Sequence, residues 1–504
     1  MTTKKEPSDK SIVWSRQRIG LILGPALFVF VLLFLDLQPG KSEVTLTAAI
    51  AIWIATWWIT EAIPIPATSL LPLVLLPLCG IMPGKQVATA YMNSNIFLFM
   101  GGFLIALSLE KWQLHKRIAL RILTLLGDSP HRIILGFMIA TALLSMWISN
   151  TATTMMMLPI AIAVISKAEE GIRDERILSN FSIALLLSIA YSASVGGIGT
   201  LIGTPPNLAF ARIFEISFPE ANPITFAEWL IMALPLVVVF VTLIWFLLVK
   251  FLVPVKNQPF SGGKEIVSDE LSKLGSMSPA EKRVGIVFLM TAILWMTRRT
   301  INLGILQIPG WSDMLGLTGF VDDGTVAIGM ALLLFAIPSG SESSRSLIDW
   351  ETTRRLPWGI LLLFGGGFAL ANAFRISGLA EWMGTQLMVL DAVPSVLMVA
   401  GTSTLLTFLT ELTSNTGTTE MILPVLAALS TAVNVNPLLL MIPATISASC
   451  AFMLPVATPP NAIIFGSGRV PIAKMAMVGI VFNLIGIVLV TALTFLVAKP
   501  LFGL

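Results

Sequence analysis

Long apolar runs separated by short polar segments extend along most of the chain. Runs such as 19–37 and 230–252 are long enough to cross a bilayer as α-helices, which need about 20 mostly apolar residues. The pattern predicts an all-α polytopic membrane protein with about eleven transmembrane helices. Two further apolar stretches, 133–166 and 394–430, are each interrupted in the middle by polar residues. We predict that these two stretches form re-entrant hairpins.

One sequence motif occurs twice. Residues 149–160 read SNTATTMMMLPI, and residues 414–425 read SNTGTTEMILPV. Further along each half, the motif TPPN occurs at 204–207 and again at 458–461. Motifs duplicated in the same order predict an internal structural repeat. Polar, helix-breaking segments at corresponding positions of two apolar repeats indicate the binding site of a secondary transporter.

Basic residues are distributed asymmetrically between the two halves. They are frequent in the loops 111–132 and 167–176, whereas no lysine or arginine occurs between 376 and 468. Because cytoplasmic loops carry an excess of Lys and Arg, the first hairpin is predicted to open to the cytoplasm and the second to the exterior. The repeats are therefore predicted to have inverted topology, with a cytoplasmic N-terminus and an external C-terminus. An amphipathic stretch, 107–126, is predicted to lie on the cytoplasmic surface.

The composition agrees with this interpretation and excludes other classes of protein. Hydrophobic residues make up 56% of the chain and charged residues only 12%, roughly half the usual globular share. The net charge of +3 is too small to indicate a nucleic-acid partner. Cys79 and Cys450 lie in apolar runs and indicate neither a disulfide framework nor a metal site. No Ser/His or paired-carboxylate arrangement lies near the motifs, so no enzyme is predicted.

The hairpin-tip motifs combine residue types that bind ions of both signs. Ser, Asn and Thr cap helix N-termini, and the dipole of the helix that follows favours an anion. Ser145 and Ser149 are spaced to share one helical face, and so are Thr410 and Ser414. Their hydroxyls and the side chains of the motif asparagines supply neutral oxygens suited to a hard cation.

The TPPN motifs are expected to complete both kinds of site. Consecutive prolines cannot extend a helix and lack N–H donors, so upstream carbonyls, Gly203 and Ala457 among them, are left for a cation. Thr204 and Thr458 remain as hydroxyl donors to an anion. The apolar segments around the motifs contain no Lys or Arg. A buried anionic substrate would therefore need bound cations as compensation.

Three glutamates, Glu61, Glu411 and Glu420, fall within or beside apolar segments. Ionisable residues inside membrane spans are functional hypotheses by default. We interpret Glu61 and Glu411 as structural partners that orient the breaks. Glu420 stands where Met155 stands in the first repeat, and we interpret it as a residue that tunes one half only.

The segments SMWISNTATTMMMLP and TELTSNTGTTEMILP, together with the two TPPN breaks, resemble the divalent-anion/sodium symporter family. The resemblance extends over nearly the whole chain. This family carries dicarboxylates, citrate or sulfate, and the resemblance implies a homodimer whose protomers each hold a scaffold and a transport domain that slides as an elevator. The predicted division is a cytoplasmic tail at 1–18, scaffold parts at 19–128 and 284–393, a cytoplasmic linker at 254–283, and transport-domain parts at 129–253 and 394–504.

By motif position, the resemblance implies two sodium sites and one substrate site. One sodium site would take Ser145, Ser149, Asn150 and Gly203. The other would take Thr410, Thr413, Asn415 and Ala457. The substrate carboxylates would contact Asn150, Thr151, Thr204, Asn415, Thr416, Thr418, Thr458 and Pro459.

The expected function is sodium-coupled symport of a dianion, with a C4-dicarboxylate such as succinate, malate or fumarate as the favoured substrate. Alternatives are a sodium-independent dicarboxylate exchanger and a sodium-coupled citrate or sulfate transporter. A channel could also use half-helix ends at an ion site, but saturable, sodium-dependent uptake would exclude it. The expected location is the lipid bilayer of a bacterial inner membrane.

Overall fold

The computed structural model describes residues 15–127, 129–257, 263–302, 307–341 and 344–504. Most of the predicted tail at 1–18 and part of the predicted linker at 254–283 lie outside the described residues. The described chain is helical, as predicted, apart from two short antiparallel ribbons in loops between helices. These ribbons were not predicted, and they leave the helical architecture unchanged.

The first half contains twelve of the described helices, and a π-helical turn at Leu248–Leu252 continues the last of them. They are α1 (Arg16–Phe34), α2 (Ser42–Thr60), α3 (Ile65–Thr68), α4 (Leu71–Leu78), α5 (Gly84–Thr89), α6 (Ser94–Lys111), α7 (Leu114–Leu126), α8 (Pro130–Ser145), α9 (Asn150–Gly171), α10 (Glu175–Ile198), α11 (Pro205–Ser217) and α12 (Phe226–Leu247).

The second half begins with the linker helix and contains both ribbons. Its described helices are α13 (Gly263–Lys273), α14 (Pro279–Met296), α15 (Trp311–Met314), α16 (Asp323–Ala336), α17 (Trp358–Ser377), α18 (Leu379–Leu387), α19 (Ser395–Thr410), α20 (Asn415–Ala432), α21 (Leu438–Ala448), α22 (Pro459–Gly466), α23 (Ile472–Leu493) and α24 (Lys499–Phe502). The ribbons pair β1 (Ile301–Asn302) with β2 (Gln307–Ile308), and β3 (Pro338–Ser341) with β4 (Ser344–Ser346).

Eight helices among the described residues are long and apolar enough to cross a membrane. A ninth candidate is the pair Leu379–Ala392 and Ser395–Thr410, which is bent by 120°. This criterion leaves out shorter apolar helices such as Ile65–Leu78 and Asp323–Ala336, although the sequence pattern counts them as spans. The total of about eleven spans therefore stays a prediction.

The two halves contain the same succession of elements. Each has a long helix (α6, α17), a short helix (α7, α18), two hairpin arms (α8–α9, α19–α20), a broken helix (α10–α11, α21–α22) and a long final helix (α12, α23). The arms are separated by 146–149 in the first half and 411–414 in the second. In both halves the two arms pack against the same following helix, α10 or α21, as expected of a hairpin.

The core of the first half is built around α10. Every residue from Phe181 to Ile198 is buried, because α8, α9, α12 and α22 surround this helix. A helix that is apolar on all sides is expected in such an interior position. α1 shows the opposite pattern, since its buried residues are confined to one narrow stripe and side chains such as Leu33 are exposed. The motif-bearing helices therefore lie inside the bundle, and α1 lies at its periphery.

α7 corresponds to the later part of the predicted amphipathic stretch 107–126, whose first residues belong to α6 instead. It packs against the linker helix α13 and the first hairpin arm α8. Arg117 of α7 is buried and forms an ion pair with Glu281 at 2.5 Å. Lys116 pairs with Glu270 at 2.8 Å. Hydrogen bonds from Lys116 and Lys273 lower the pKa of Glu270 to about 2. The linker helix α13 is thus held against α7 by these ion pairs. It also contacts α9, the second arm of the first hairpin.

Candidate transport site

A cavity of about 490 Å³ lies where the two halves of the chain meet. Both hairpin tips contribute to its wall, through 149–151 and 413–416. Both breaks contribute as well, through 203–206 and 456–460. The rest of the wall comes mainly from Glu61, which follows α2, and from α3, α6 and the start of α17. The duplicated motifs, which are far apart in the sequence, therefore line one space.

The four half-helices that carry the duplicated motifs, α9, α11, α20 and α22, all begin at this cavity. Ser149 and Ser414 cap α9 and α20, and each side chain accepts a hydrogen bond from a backbone N–H, at 3.2 and 3.4 Å. Thr458 caps α22 in the same way at 3.3 Å. Thr204 stands at the start of α11, where the described structure shows no side-chain cap bond. Helix N-termini carry partial positive charge, so this arrangement favours an anion.

The wall of the cavity carries little charge of its own. Of the residues that the structure describes along it, none is Lys, Arg or His, and Glu61 is the one acidic residue. Glu61 ends α2 in the left-handed region, with φ 50°, and its side chain is exposed. In the described structure no hydrogen bond joins it to either break, so the prediction that Glu61 orients a break is wrong.

Four residues bring oxygen atoms together beneath the first hairpin tip. The buried Ser145 hydroxyl, at the end of α8, lies 2.5 Å from Asn150 Oδ1 and 2.7 Å from the Ala193 carbonyl. The Asn150 side chain lies against Gly197, where an added methyl group would overlap Oδ1 and come within 3.0 Å of the Gly203 carbonyl oxygen. The absence of a side chain at Gly197 therefore lets the amide and carbonyl oxygens approach each other.

The second hairpin repeats this arrangement. The buried Thr410 hydroxyl lies 2.6 Å from Asn415 Oδ1 and 3.0 Å from the Ala448 carbonyl. Thr413 lines the cavity, and its hydroxyl lies 2.6 Å from that of Thr418. Hard cations prefer oxygen ligands such as hydroxyls and carbonyls. Each tip therefore has the chemistry of a site for a small cation.

The asparagine of each TPPN motif holds its broken helix together. Asn207 Nδ2 lies 2.7–3.3 Å from three acceptor carbonyls, two in the last turn of α10 and that of Thr200 in the break. Asn461 Nδ2 donates to two carbonyls of the second break, at 3.0 and 3.1 Å. Both Oδ1 atoms are buried without a partner in the described structure and remain as acceptors. The sequence-based prediction omits these two residues, although their place directly after helix-starting prolines distinguishes them.

Glu411 ties the second hairpin to its break, as predicted. Its buried carboxylate accepts hydrogen bonds from the backbone N–H groups of 452–454, at 2.8–3.1 Å, and from the Asn483 amide at 2.7 Å. Met146 stands at the corresponding place of the first hairpin, and its carbonyl accepts a hydrogen bond from Thr200 Oγ1 at 2.5 Å. These bonds satisfy irregular backbone that would otherwise be costly inside the protein.

Two details of the predicted site differ in the structure. The prediction that Ser145 and Ser149 share a helical face, like Thr410 and Ser414, is wrong because a helix ends between the members of each pair. Thr418 lies behind the tip, and the described cavity wall does not include it. The remaining predicted residues line the wall, apart from the buried Ser145 and Thr410: Ser149, Asn150, Thr151, Gly203, Thr204, Thr413, Asn415, Thr416, Ala457, Thr458 and Pro459.

Comparison with known proteins gives close relatives along the whole chain. The sodium-dependent dicarboxylate transporter SdcS of Staphylococcus saprophyticus is 47% identical over 509 residues, which cover 100% of this chain and 95% of the relative. SdcS of a bovine strain of Staphylococcus aureus is 47% identical over 494 residues, with coverage of 97% and 92%.

Two solved structures share the fold at low sequence identity. MtrF of Neisseria gonorrhoeae, from a class of antimetabolite efflux pumps, is 14% identical with a TM-score of 0.57, covering 93% of this chain and 96% of MtrF. The YdaH transporter of Alcanivorax borkumensis is 12% identical with a TM-score of 0.59, covering 91% and 99%. Residues 20–504 match the family model described as the sodium:sulfate symporter transmembrane region. The predicted resemblance is thereby confirmed, and the chain belongs to the sodium:sulfate symporter family.

Proposed function

We propose that the chain is a sodium-coupled symporter of C4-dicarboxylates such as succinate, malate or fumarate. The observation that carries this function is the meeting of four helix N-termini and two sets of neutral oxygens at one cavity. The relatives named sodium-dependent dicarboxylate transporter align over nearly the whole chain, which supports the same ion and substrate class.

The coupling follows from the electrostatics of the cavity. Helix-end dipoles contribute roughly 0.3–1 kcal/mol each, and up to about 2 kcal/mol in favourable buried geometry. That is small against the cost of removing a dianion from water, and the described wall offers no cationic side chain. Bound sodium ions then supply the missing positive charge. Sodium and substrate are therefore expected to raise each other's affinity reciprocally.

The residues divide between two sodium ions and one dicarboxylate. The first sodium takes Ser145, Ser149, Asn150 and Gly203, and the second takes Thr410, Thr413, Asn415 and Ala457. The convergence of hydroxyl and amide oxygens at each tip supports these two sets. The carboxylates contact Asn150, Thr151, Thr204, Asn415, Thr416, Thr458 and Pro459. Thr418 acts through its hydrogen bond to the Thr413 hydroxyl rather than by direct contact.

The proposed orientation has a cytoplasmic N-terminus and an external C-terminus, in a bacterial inner membrane. The cavity wall includes Glu61, Pro66 and Gly359, which this orientation puts at the cytoplasmic ends of their helices. The cavity then faces inward in this structure. To reach the exterior, the transport domain (129–253 and 394–504) slides against the scaffold as an elevator. The protomers form a homodimer, as the family resemblance implies.

Uptake of radiolabelled succinate into proteoliposomes tests the function. We expect saturable uptake that requires an inward sodium gradient and is inhibited by malate and fumarate more strongly than by citrate or sulfate. Equal uptake in potassium, with acceleration by internal dicarboxylate, would instead identify an exchanger. Stronger inhibition by citrate or sulfate would keep the symport mechanism and change the substrate.

Cysteine labelling tests the orientation. Single cysteines at 265 and 315 are introduced in a background without Cys79 and Cys450, and whole cells are treated with a membrane-impermeant thiol reagent. We expect labelling at 315 and none at 265. The reverse pattern would refute the proposed orientation and the inverted repeats with it.

A further inference from the structure

Glu420 is a buried carboxyl group that the proposed transport cycle does not use. It lies in α20, is 0% exposed, and neither of its carboxyl oxygens has a hydrogen-bond partner in the described structure. Glu411, at the end of the other hairpin arm, accepts hydrogen bonds from three backbone groups and a side-chain amide. The position equivalent to Glu420 in the first repeat is Met155, which is 60% exposed. The carboxyl therefore has no counterpart in the first half.

Gly367 of α17 makes room for this carboxyl. A methyl group added at Gly367 would overlap Glu420 Oε2, and one added at Gly365 would overlap the ring of Tyr91. The Tyr91 hydroxyl donates to the Ser69 carbonyl at 2.5 Å, so it does not serve Glu420. α17 belongs to the predicted scaffold and α20 to the predicted transport domain. The carboxyl is thus pressed against the surface along which the two domains would slide.

None of the charged groups on the described elements around α20 serves as a counter-ion for Glu420. The helices packed against α20 carry these ionisable residues: Glu43 and Glu61 on α2, Arg212 and Glu215 on α11, Arg375 on α17, and Glu381 on α18. The 3₁₀ turn 388–392 adds the exposed Asp391, and α19 ends at Glu411, whose carboxylate is held by backbone N–H groups and the Asn483 amide, whereas α21 carries no ionisable residue. In the described structure none of these groups pairs with Glu420, and Arg212 pairs with Glu215 at 2.9 Å. An ionised carboxylate is strongly disfavoured in such surroundings, so the group is neutral here.

We propose that Glu420 is a proton-binding site and that its bound proton favours the domain arrangement seen in this structure. The proposal rests on the elevator movement of the proposed function, because only a sliding transport domain carries Glu420 away from Gly367. The carboxyl takes up one proton from solvent as it reaches this position and returns one proton when it leaves and ionises. Acid pH then raises the population of the present arrangement, by about tenfold per pH unit at most for one proton.

Infrared spectra of the full-length protein in nanodiscs, compared between the wild type and each variant, test for the bound proton. We expect a carbonyl band of a protonated carboxyl without hydrogen bonds, which Glu420→Gln and Glu420→Met both remove. Glu381→Gln is the matched control, since Glu381 is exposed on a helix that also packs against α20, and it should keep the band. Identical spectra for the wild type and both Glu420 variants would overturn the proposal.

Distances between spin labels test the link to domain position. The labels occupy Arg354→Cys in the predicted scaffold and Glu170→Cys in the predicted transport domain, both exposed side chains, in a background without the native cysteines. We expect the population of the present distance to rise as pH falls in the wild type and in Glu381→Gln. In Glu420→Gln the population should change less than twofold over the same pH range. Glu420→Met, which introduces the residue of the first repeat, gives the same readout should the glutamine variant fail to fold.

The two proposals fail in distinguishable ways. A distance that sodium and succinate change, with the same pH response in the wild type and both Glu420 variants, would refute the proton site and leave the transport function intact. A distance that neither ligands nor pH change would refute the elevator movement, and the proton-linked proposal with it.

Discussion

In the first half of the chain, the hairpin and the broken helix are joined by a neutral bond, from the Thr200 hydroxyl to the Met146 carbonyl. In the second half, Glu411 stands in place of Met146, and its carboxylate accepts hydrogen bonds from three backbone N–H groups of the break. In both halves the break donates and the hairpin accepts, but the acceptor is a neutral carbonyl in the first half and a carboxylate in the second. The second break is also longer, 449–458 against 199–204. A single carboxylate therefore accepts hydrogen bonds from several of its irregular backbone N–H groups.

The difference puts a carboxylate beside one of the two proposed sodium sites. Glu411 directly follows Thr410, whose hydroxyl bonds to Asn415. Around Ser145 and Asn150, the described hydrogen bonds involve no acidic residue. Opposite charges attract more strongly at short range and in surroundings poor in water. We therefore expect the second site to hold sodium more tightly, and the first to depend more on the charge of the bound substrate.

The largest effect is expected where the two halves act alike. Asn150→Ala and Asn415→Ala each remove an amide proposed to serve both cation and substrate. Hydrogen bonds to charged groups contribute about 1.5–3 kcal/mol each, and every 1.4 kcal/mol is about tenfold in affinity. Succinate uptake should fall at least about 100-fold in each variant, at an unchanged protein level. Near-normal uptake at saturating sodium in either variant would remove that tip from the site.

Glu411→Gln should have the next largest effect and should exceed that of its first-half match, Thr200→Val. Glutamine removes the charge and turns an NH₂ group toward backbone donors, so we expect a loss of about 3 kcal/mol or more in stability. Thr200→Val loses one neutral hydrogen bond, a loss of about 0.5–1.5 kcal/mol. Thermal unfolding and sodium titration of the substrate-free protein measure both changes. Equal losses of sodium affinity would show that the charge of the Glu411 carboxylate does not matter for the ion.

Thr410→Ala and Ser145→Ala should act on sodium first and on substrate through it. Loss of one neutral oxygen ligand is worth about 0.5–1.5 kcal/mol, or roughly two- to tenfold in sodium affinity. High sodium should partly restore substrate affinity, and Ser145→Ala should need the substrate present for its effect to be largest. Substrate affinity is measured across a sodium series, with potassium holding the ionic strength constant. Substrate affinity that does not change with sodium concentration would contradict symport and favour the exchanger.

The smallest effect concerns the ion pairs between α7 and α13, which lie beside the first hairpin. In the described structure the second hairpin has no such pairs, because the chain contains no Lys or Arg from 376 to 468. Hydrogen bonds from Lys116 and Lys273 hold the pKa of Glu270 at about 2. Since this pKa is depressed, the stabilisation is present above the ordinary value of about 4.3 and is lost as the pH falls toward 2. The group is partly exposed, so the loss should stay below about 1 kcal/mol.

Hydrogen exchange of α13, corrected for its intrinsic pH dependence, measures this effect. Protection in the wild type should fall between about pH 5 and about pH 3, whereas in Glu270→Gln it should already be lower at the higher pH. Protection that responds to pH in the same way in both proteins would exclude this ion pair as the cause.

Short-range signals made the elements and part of the site predictable. Ser149 and Ser414 cap half-helices, and Pro205 and Pro459 start new ones, because capping and proline geometry act over a few residues. Glu411 was predictable as a partner of the break, since an ionisable residue in an apolar segment needs donors around it. Spacing alone does not show where a helix ends. For this reason the prediction that Ser145 and Ser149, or Thr410 and Ser414, share one helical face is wrong.

The sequence by itself determined the repeat, the hairpins, the helix starts and the residue types at the tips, all of which follow from local patterns of polarity. The tertiary structure decided which of those groups meet. It placed Asn207 on the carbonyls of its own broken helix, Glu61 on the cavity wall, and Glu420 against Gly367 without a partner. A polar residue in an apolar segment indicates that hydrogen-bond partners are needed. Which partners it finds depends on how helices distant in sequence pack against each other.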